Sequence, residues 1–182
     1  MTQEQQDNNE RICLTKPSDG LNNDGLDNEY FNLIVHKYDV ITGPSREKTT
    51  KCRQNQKQYT ITRTLGVGMF GQVFECIDKE TKEIYAIKIL KNLKSYYRQG
   101  LLEVTMLELL NNYFNEKSDN HILQMYDHFI FKNHLCFVTE KLGIDTYQLA
   151  CRENDKCGKS SFTIERVRKL SKQLLESLDI LQ

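Results

Sequence analysis

Alternation of apolar and polar positions begins at Tyr59. Tyr59, Ile61, Leu65 and Val67 fall on one parity, joined by Arg63. A half-buried strand repeats in this way, because successive side chains point to opposite faces. Val73 and Ile77 alternate around Glu75, with Phe74 and Cys76 on the other face. After a charged turn, Asp78 to Glu83, the set Ile84, Ala86, Lys88 and Leu90 alternates against Tyr85, Ile87 and Ile89. Three antiparallel strands are therefore predicted, the first two joined by glycines. Met125–Phe131 and His134–Glu140 flank Lys132-Asn133 and predict a hairpin, so the sheet has five strands. Between the strand groups, Leu102, Met106, Leu109/Leu110 and Tyr113 recur at spacings of three and four. This is one apolar helical stripe, in a helix capped by Ser95 and running to about Phe114. A polar loop follows over 115–120, a short helix over 145–151 and a charged loop over 152–161. The last segment, Thr163 to Gln182, carries Ile164, Val167, Leu170, Leu174/Leu175, Leu178 and Leu181, an amphipathic helix. The fold class is α+β.

Upstream the texture differs. Residues 1–28 are rich in Asn, Asp, Gln and Glu and predict a solvated tail. Residues 29–41 hold two short apolar clusters and predict a docked segment. Gly43-Pro44-Ser45 marks a turn, and 45–58 is a basic, glutamine-rich linker. The expected organisation is a polar, largely disordered tail over 1–58, docked near 29–41, and a domain over 59–182.

Composition narrows the function class. Lys+Arg and Asp+Glu are both 25 in 182 residues, so no net charge argues for nucleic acid or an acidic surface. A mean hydropathy of −0.61 fits a globular part diluted by a polar part. No stretch approaches the roughly 18–20 apolar residues of a membrane span, and the N-terminus lacks the basic and apolar regions of a secretory signal. The six cysteines form no C-x2-C pair, and Cys76 and Cys136 fall inside predicted strands. Reduced intracellular thiols are expected, in the cytoplasm or nucleus, with no metal centre.

Chemistry concentrates in Leu65-Gly66-Val67-Gly68-Met69-Phe70-Gly71-Gln72-Val73. Glycines let backbone approach a bulky anion, whose charge exposed N–H groups can cradle. A dinucleotide-binding loop must open a helix; here a strand pattern follows. A Walker A loop ends in Gly-Lys-Ser/Thr, and Gly71-Gln72-Val73 does not. Two readings stay open: a glycine-rich hairpin without a ligand, or the longer G-x-G-x-x-G-x-V pattern with a lysine on the next strand. Lys88 ends Ala86-Ile87-Lys88 in an apolar context, where an ammonium wants an anionic partner. Glu103, at the edge of the helix stripe, is the candidate; Glu108 is the rival.

With these residues the sequence resembles the small lobe of a eukaryotic protein kinase over about residues 59–182. Finer features resemble the dual-specificity tyrosine-regulated kinases of the CMGC group, the Yak-type branch in particular. They are Asp27-Asn28-Glu29-Tyr30 with Leu33-Ile34-Val35 and Asp39-Val40-Ile41, the Leu107-Glu108-Leu109-Leu110-Asn111 helix end, Met125-Tyr126-Asp127, and Lys132-Asn133-His134-Leu135-Cys136. The resemblance implies a five-stranded sheet with an αC helix, followed by the first helices of the large lobe. It implies ATP as cofactor. Gly66, Gly68 and Gly71 would cover the phosphates, with Phe70 at the loop tip. Leu65, Val73 and Ala86 would sandwich the adenine. Lys88 would reach the α/β-phosphates and pair with Glu103. Thr139 falls at the gatekeeper position, where this family more often has Phe. Glu140 and Leu142 would offer backbone groups to the adenine edge, and Asp145 could reach the ribose. Lys141 stands where the family commonly has an apolar residue.

The sequence contains no His-Arg-Asp, Asp-Phe-Gly or Ala-Pro-Glu motif. By the family pattern, the base and the Mg2+ ligands lie in the first two. Two expectations follow: the ATP-binding portion of a serine/threonine or dual-specificity kinase acting on protein hydroxyls, inactive alone, or a non-catalytic module that binds nucleotide or another kinase. Oligomeric state is left open.

Overall fold

The computed structural model describes residues 11–43, 57–114, 121–149 and 163–180. The expectations for residues 1–10, the linker after Gly43, the 115–120 loop, the 152–161 loop and Leu181 lie outside these. The chain divides into two units at Met106/Leu107, Gln124/Met125 and Lys141/Leu142.

The first unit is an antiparallel sheet of β1 (Val40–Thr42), β2 (Gln58–Val67), β3 (Gly71–Asp78), β4 (Ile84–Leu90), β5 (Met125–Phe131) and β6 (His134–Glu140). Their spatial order is β1-β2-β3-β4-β6-β5. The five predicted strands are present. The sixth, β1, comes from the upstream segment and pairs with β2, Ile41 opposite Tyr59. One sheet face carries the main core: Tyr59, Ile61, Phe74, Cys76, Ile87, Ile89, Cys136 and Val138, with Leu33, Val35 and Ile41 packed on it. Tyr59 and Phe129 stack with ring centroids 6.1 Å apart. Burial pushes the Cys76 thiol up to about 12, helped by the Asp78 and Glu75 carboxylates, and raises the Cys136 thiol as well.

The solvated-tail expectation fails over 11–28. Thr15, Asp27 and Asn28 are buried. The Thr15 hydroxyl donates to the Leu33 carbonyl at 3.0 Å and accepts from the Val35 amide at 3.1 Å. Asn28 Oδ1 accepts from the amides of Tyr30 and Asn32, while its Nδ2 donates to the Pro17 carbonyl. The polar side chains that signalled solvation thus satisfy the backbone of a docked, irregular segment, as any buried loop requires. The sheet contributes as well: Gln72 Nε2 donates to the Leu33 carbonyl at 3.0 Å.

His134 fixes this segment to the sheet. Its Nδ1 lies 2.7 Å from the Leu90 carbonyl and its Nε2 lies 2.8 Å from Asp27 Oδ1, with both side chains fully buried. A carbonyl only accepts, so Nδ1 carries a hydrogen. The Nε2–Oδ1 contact then needs a second, shared by the pair. Asn92 Nδ2 donates to Asp27 Oδ2 at 3.1 Å, and Asn23 Nδ2 donates to Oδ1 at 3.1 Å.

Helix α1 (Lys94–Tyr113) follows β4. Ser95 lies inside its first turn and is not the cap. The predicted stripe is also rotated: Leu102, Met106, Leu109 and Tyr113 are exposed, whereas Gly100 and Val104 are buried. A Cβ at Gly100 would stand 2.2 Å from Leu90 Cδ1 and 2.9 Å from Leu135 Cδ2. The helix therefore meets the sheet through a residue that a hydrophobicity pattern cannot register.

The second unit holds the end of α1, one helical turn over 146–149 and α2 (Ile164–Ile180). Asp145 Oδ1 accepts from the Gln148 amide at 2.6 Å and caps the turn. Thr163 Oγ1 accepts from the Arg166 amide, capping α2. Asn111 Nδ2 donates to the Leu123 carbonyl at 3.0 Å. The α2 stripe of Val167, Leu170, Leu174 and Leu178 is exposed.

Candidate nucleotide site

Strand register assembles the site on the sheet face opposite the core cluster. Cross-strand partners share a face. Gly66 pairs with Val73, Val73 with Lys88, and Lys88 with Phe137, giving one row across four strands. A second row runs Arg63, Glu75, Ala86, Thr139. Leu65 falls at the register shift between Thr64 and Gly66 and is half-buried.

The three glycines do different work. A Cβ at Gly71 would lie 2.1 Å from the Ile89 carbonyl oxygen, so Gly71 lets β3 close on β4. Gly66 and Gly68 have nothing within 4 Å of that position. Their lack of a side chain serves no packing in the chain and leaves backbone open to something outside it. The Gly68 amide donates to the Gly71 carbonyl at 2.9 Å, closing the loop. At its tip, the Phe70 ring meets the Tyr96 ring edge-on at 5.5 Å, and the Lys91 amide donates to the Phe70 carbonyl.

Lys88 Nζ lies 2.8 and 3.0 Å from the two carboxylate oxygens of Glu103. Glu103, rather than Glu108, is the partner. It comes into range because α1 seats on Gly100, one turn earlier. Lys88 Nζ also stands 4.9 Å from the Phe137 ring centroid. An ammonium has three donors. Glu103 takes two, which leaves the lysine directed yet able to meet an anion.

The far end of the second row is ionic. Glu75 Oε2 lies 2.8 Å from Arg63 Nη2 and 2.7 Å from Lys141 Nζ, and Thr62 Oγ1 donates to Oε1 at 2.9 Å. The Arg63 guanidinium holds the Glu75 carboxyl down to about 2; burial pushes it the other way, and Lys141 and Thr62 add smaller downward pulls. Ala86 and Thr139 are buried, and the Thr139 hydroxyl donates to the Glu140 carbonyl at 3.1 Å. Glu140 pairs with Tyr85. Leu142 and Asp145 belong to the second unit, where both are exposed.

The register thus brings together Gly66, Val73, Ala86, Lys88 and Thr139, with Glu103 joining from α1. Sequence reasoning missed Phe137, Gly100 and the partners of Glu75. A glycine inside a predicted helix was the available signal for Gly100. Among the described residues no group of three metal-ligating side chains occurs, and no helix is long and apolar enough to cross a membrane.

The protein kinase domain pattern matches residues 59–182, and the chain belongs to that family. Its relatives point to one branch. It is 38% identical over 174 residues to serine/threonine-protein kinase ppk15 of Schizosaccharomyces pombe, covering 96% of this chain and 30% of that protein. It is 38% identical over 174 residues to dual specificity protein kinase YAK1 of Saccharomyces cerevisiae, covering 96% and 20%. To the probable serine/threonine-protein kinase yakA of Dictyostelium discoideum it is 40% identical over 146 residues, covering 80% and 9%. The chain therefore spans 9–30% of the length of these three curated relatives. At 96% of this chain, the first two matches extend well upstream of residue 59.

Proposed function

We propose that this chain is the ATP-binding portion of a serine/threonine or dual-specificity protein kinase, which in complete form transfers the γ-phosphoryl group to protein hydroxyls. The carrying observation is the row Gly66–Val73–Lys88–Phe137 with Glu103 closing on Lys88. Open glycine backbone and a directed ammonium on one face suit a polyphosphate, whose negative charge both can meet. Val73 and Ala86 supply apolar surface for the base, with Leu65 beside them. The backbone of Glu140 is assigned to the base edge. When bound, ATP supplies the transferable group. The residues here bind and orient it.

Magnesium use is general to the family; by the family pattern its ligands and the base lie in motifs that these 182 residues do not carry. These 182 residues alone are accordingly proposed to bind nucleotide without transferring phosphate. A second reading, a module that docks another kinase, draws on the exposed α2 stripe. An intracellular location, cytoplasm or nucleus, is proposed beside it.

The test is nucleotide titration of the unmodified chain and Lys88→Ala. The unmodified chain should bind ATP, and the variant should bind at least about tenfold more weakly, the loss of one charge-assisted contact. Equal binding or equal silence refutes the site. Phosphorylation of a peptide by the purified chain, with host kinases excluded, refutes the proposed inactivity.

A further inference from the structure

Lys141 directly follows β6, and the structure gives it an anionic partner on another strand. Its ammonium lies 2.7 Å from Glu75 Oε2. Strand β4 intervenes between β3, which carries Glu75, and β6, which Lys141 directly follows. The bond therefore spans two strand spacings, about 9.6 Å between backbones, and runs diagonally from the Glu75–Ala86–Thr139 row to the residue two positions past Thr139. Glu75 is itself immobilised. Arg63 Nε and Thr62 Oγ1 donate to Oε1, and Arg63 Nη2 donates to Oε2, leaving the carboxylate only 13% exposed. An anchored carboxylate holds a cation in one direction better than a free surface glutamate does, since little rotamer entropy remains to be lost.

Resting on the nucleotide reading above, we propose that the Lys141–Glu75 ion pair is a positioning clamp. It ties the backbone of Glu140–Lys141 to β3, holding the base-recognising edge at a set distance from Ala86. Lys141 makes no contact with the ligand in this scheme. It acts through the backbone it restrains.

The clamp acts on the base, so its loss should weaken a nucleoside and a nucleotide alike. Lys88 acts on phosphate, so its loss should weaken only the nucleotide. NMR titration of the full chain with adenosine and with ADP separates the two. Lys141→Met should lower affinity for both by the same factor, about two- to fivefold, the upper part of the range for a partly exposed pair. Glu75→Gln, cutting the clamp from the other side, should do the same. Lys141→Arg should stay within about twofold of the unmodified chain, because a guanidinium can keep the bond. Amide exchange at Glu140 and Lys141 should quicken in the first two variants only. Unchanged adenosine affinity in Lys141→Met overturns the clamp, as does weakening confined to ADP, which would mark a mere charge effect on the phosphates. If the unmodified chain binds neither probe, the nucleotide reading falls and takes the clamp with it.

Discussion

The buried His134–Asp27 pair offers the most demanding test of how the upstream segment is held. Both side chains are fully buried, so no solvent screening softens the interaction. Replacing His134 with Phe keeps bulk but removes both donors. The Leu90 carbonyl loses the imidazole N–H, a hydrogen bond worth about 0.5–1.5 kcal/mol net. Asp27 keeps Asn23 and Asn92 but faces an apolar ring where it had a donor. Breaking a buried pair from one side costs about 3–5 kcal/mol, and the expectation for His134→Phe and for Asp27→Ala is this range. Removing both partners should cost less than the sum, with a coupling of about 2 kcal/mol or more. Urea unfolding of the unmodified chain, both single variants and the double variant measures this. Amide exchange over 11–43 supplies the second readout. If the segment detaches to rehydrate Asp27, the loss is capped at its docking free energy. Exchange there then rises while the sheet stays protected. Single losses below about 1 kcal/mol, with exchange over 11–43 unchanged, would refute the reasoning.

Other predictions follow from single positions. Gly71→Ala should destabilise the chain by about 1–3 kcal/mol in urea unfolding, because its Cβ meets backbone at Ile89. Gly66→Ala and Gly68→Ala should leave stability within about 0.5 kcal/mol yet weaken nucleotide binding. Gly100→Leu should push α1 off Leu90 and Leu135, and nucleotide affinity should then fall as it does in Lys88→Ala. The Glu75 carboxyl is held at about 2 in the folded chain, below its ordinary 4.5. Its stabilising contribution is therefore complete above pH about 4.5 and lost as pH falls toward 2. The deficit of Glu75→Gln, clear at pH 7, should shrink across that window in pH-dependent unfolding. Native Cys76 and Cys136 should resist iodoacetamide until the chain unfolds, since burial withholds the thiolate.

Alternation from Tyr59 to Leu90 predicted three strands, and the runs flanking Lys132-Asn133 predicted a hairpin of two more; β2 and β3 bury mainly one parity, whereas β6 is buried on both faces from His134 to Thr139. The glycine spacing with Lys88 determined which kind of phosphate loop to expect. What pairs with what was decided only in three dimensions. The helix stripe that marks Glu103 at its edge is exposed. Glu103 reaches Lys88 because Gly100 lets the helix sit close on Leu90 and Leu135, and a glycine adds nothing to a hydrophobic pattern. The segment over 11–28 read as solvent-facing because Thr15, Asp27 and Asn28 are polar, yet these side chains satisfy buried backbone and His134. Composition records how polar a residue is, not whether its partner is water or another part of the chain. The same holds for Glu75 and Lys141, which are 66 positions apart in the chain and joined across β4. Periodicity is a property of neighbours in sequence. A hydrogen bond or ion pair between strands is a property of register, and register exists only once the sheet has formed.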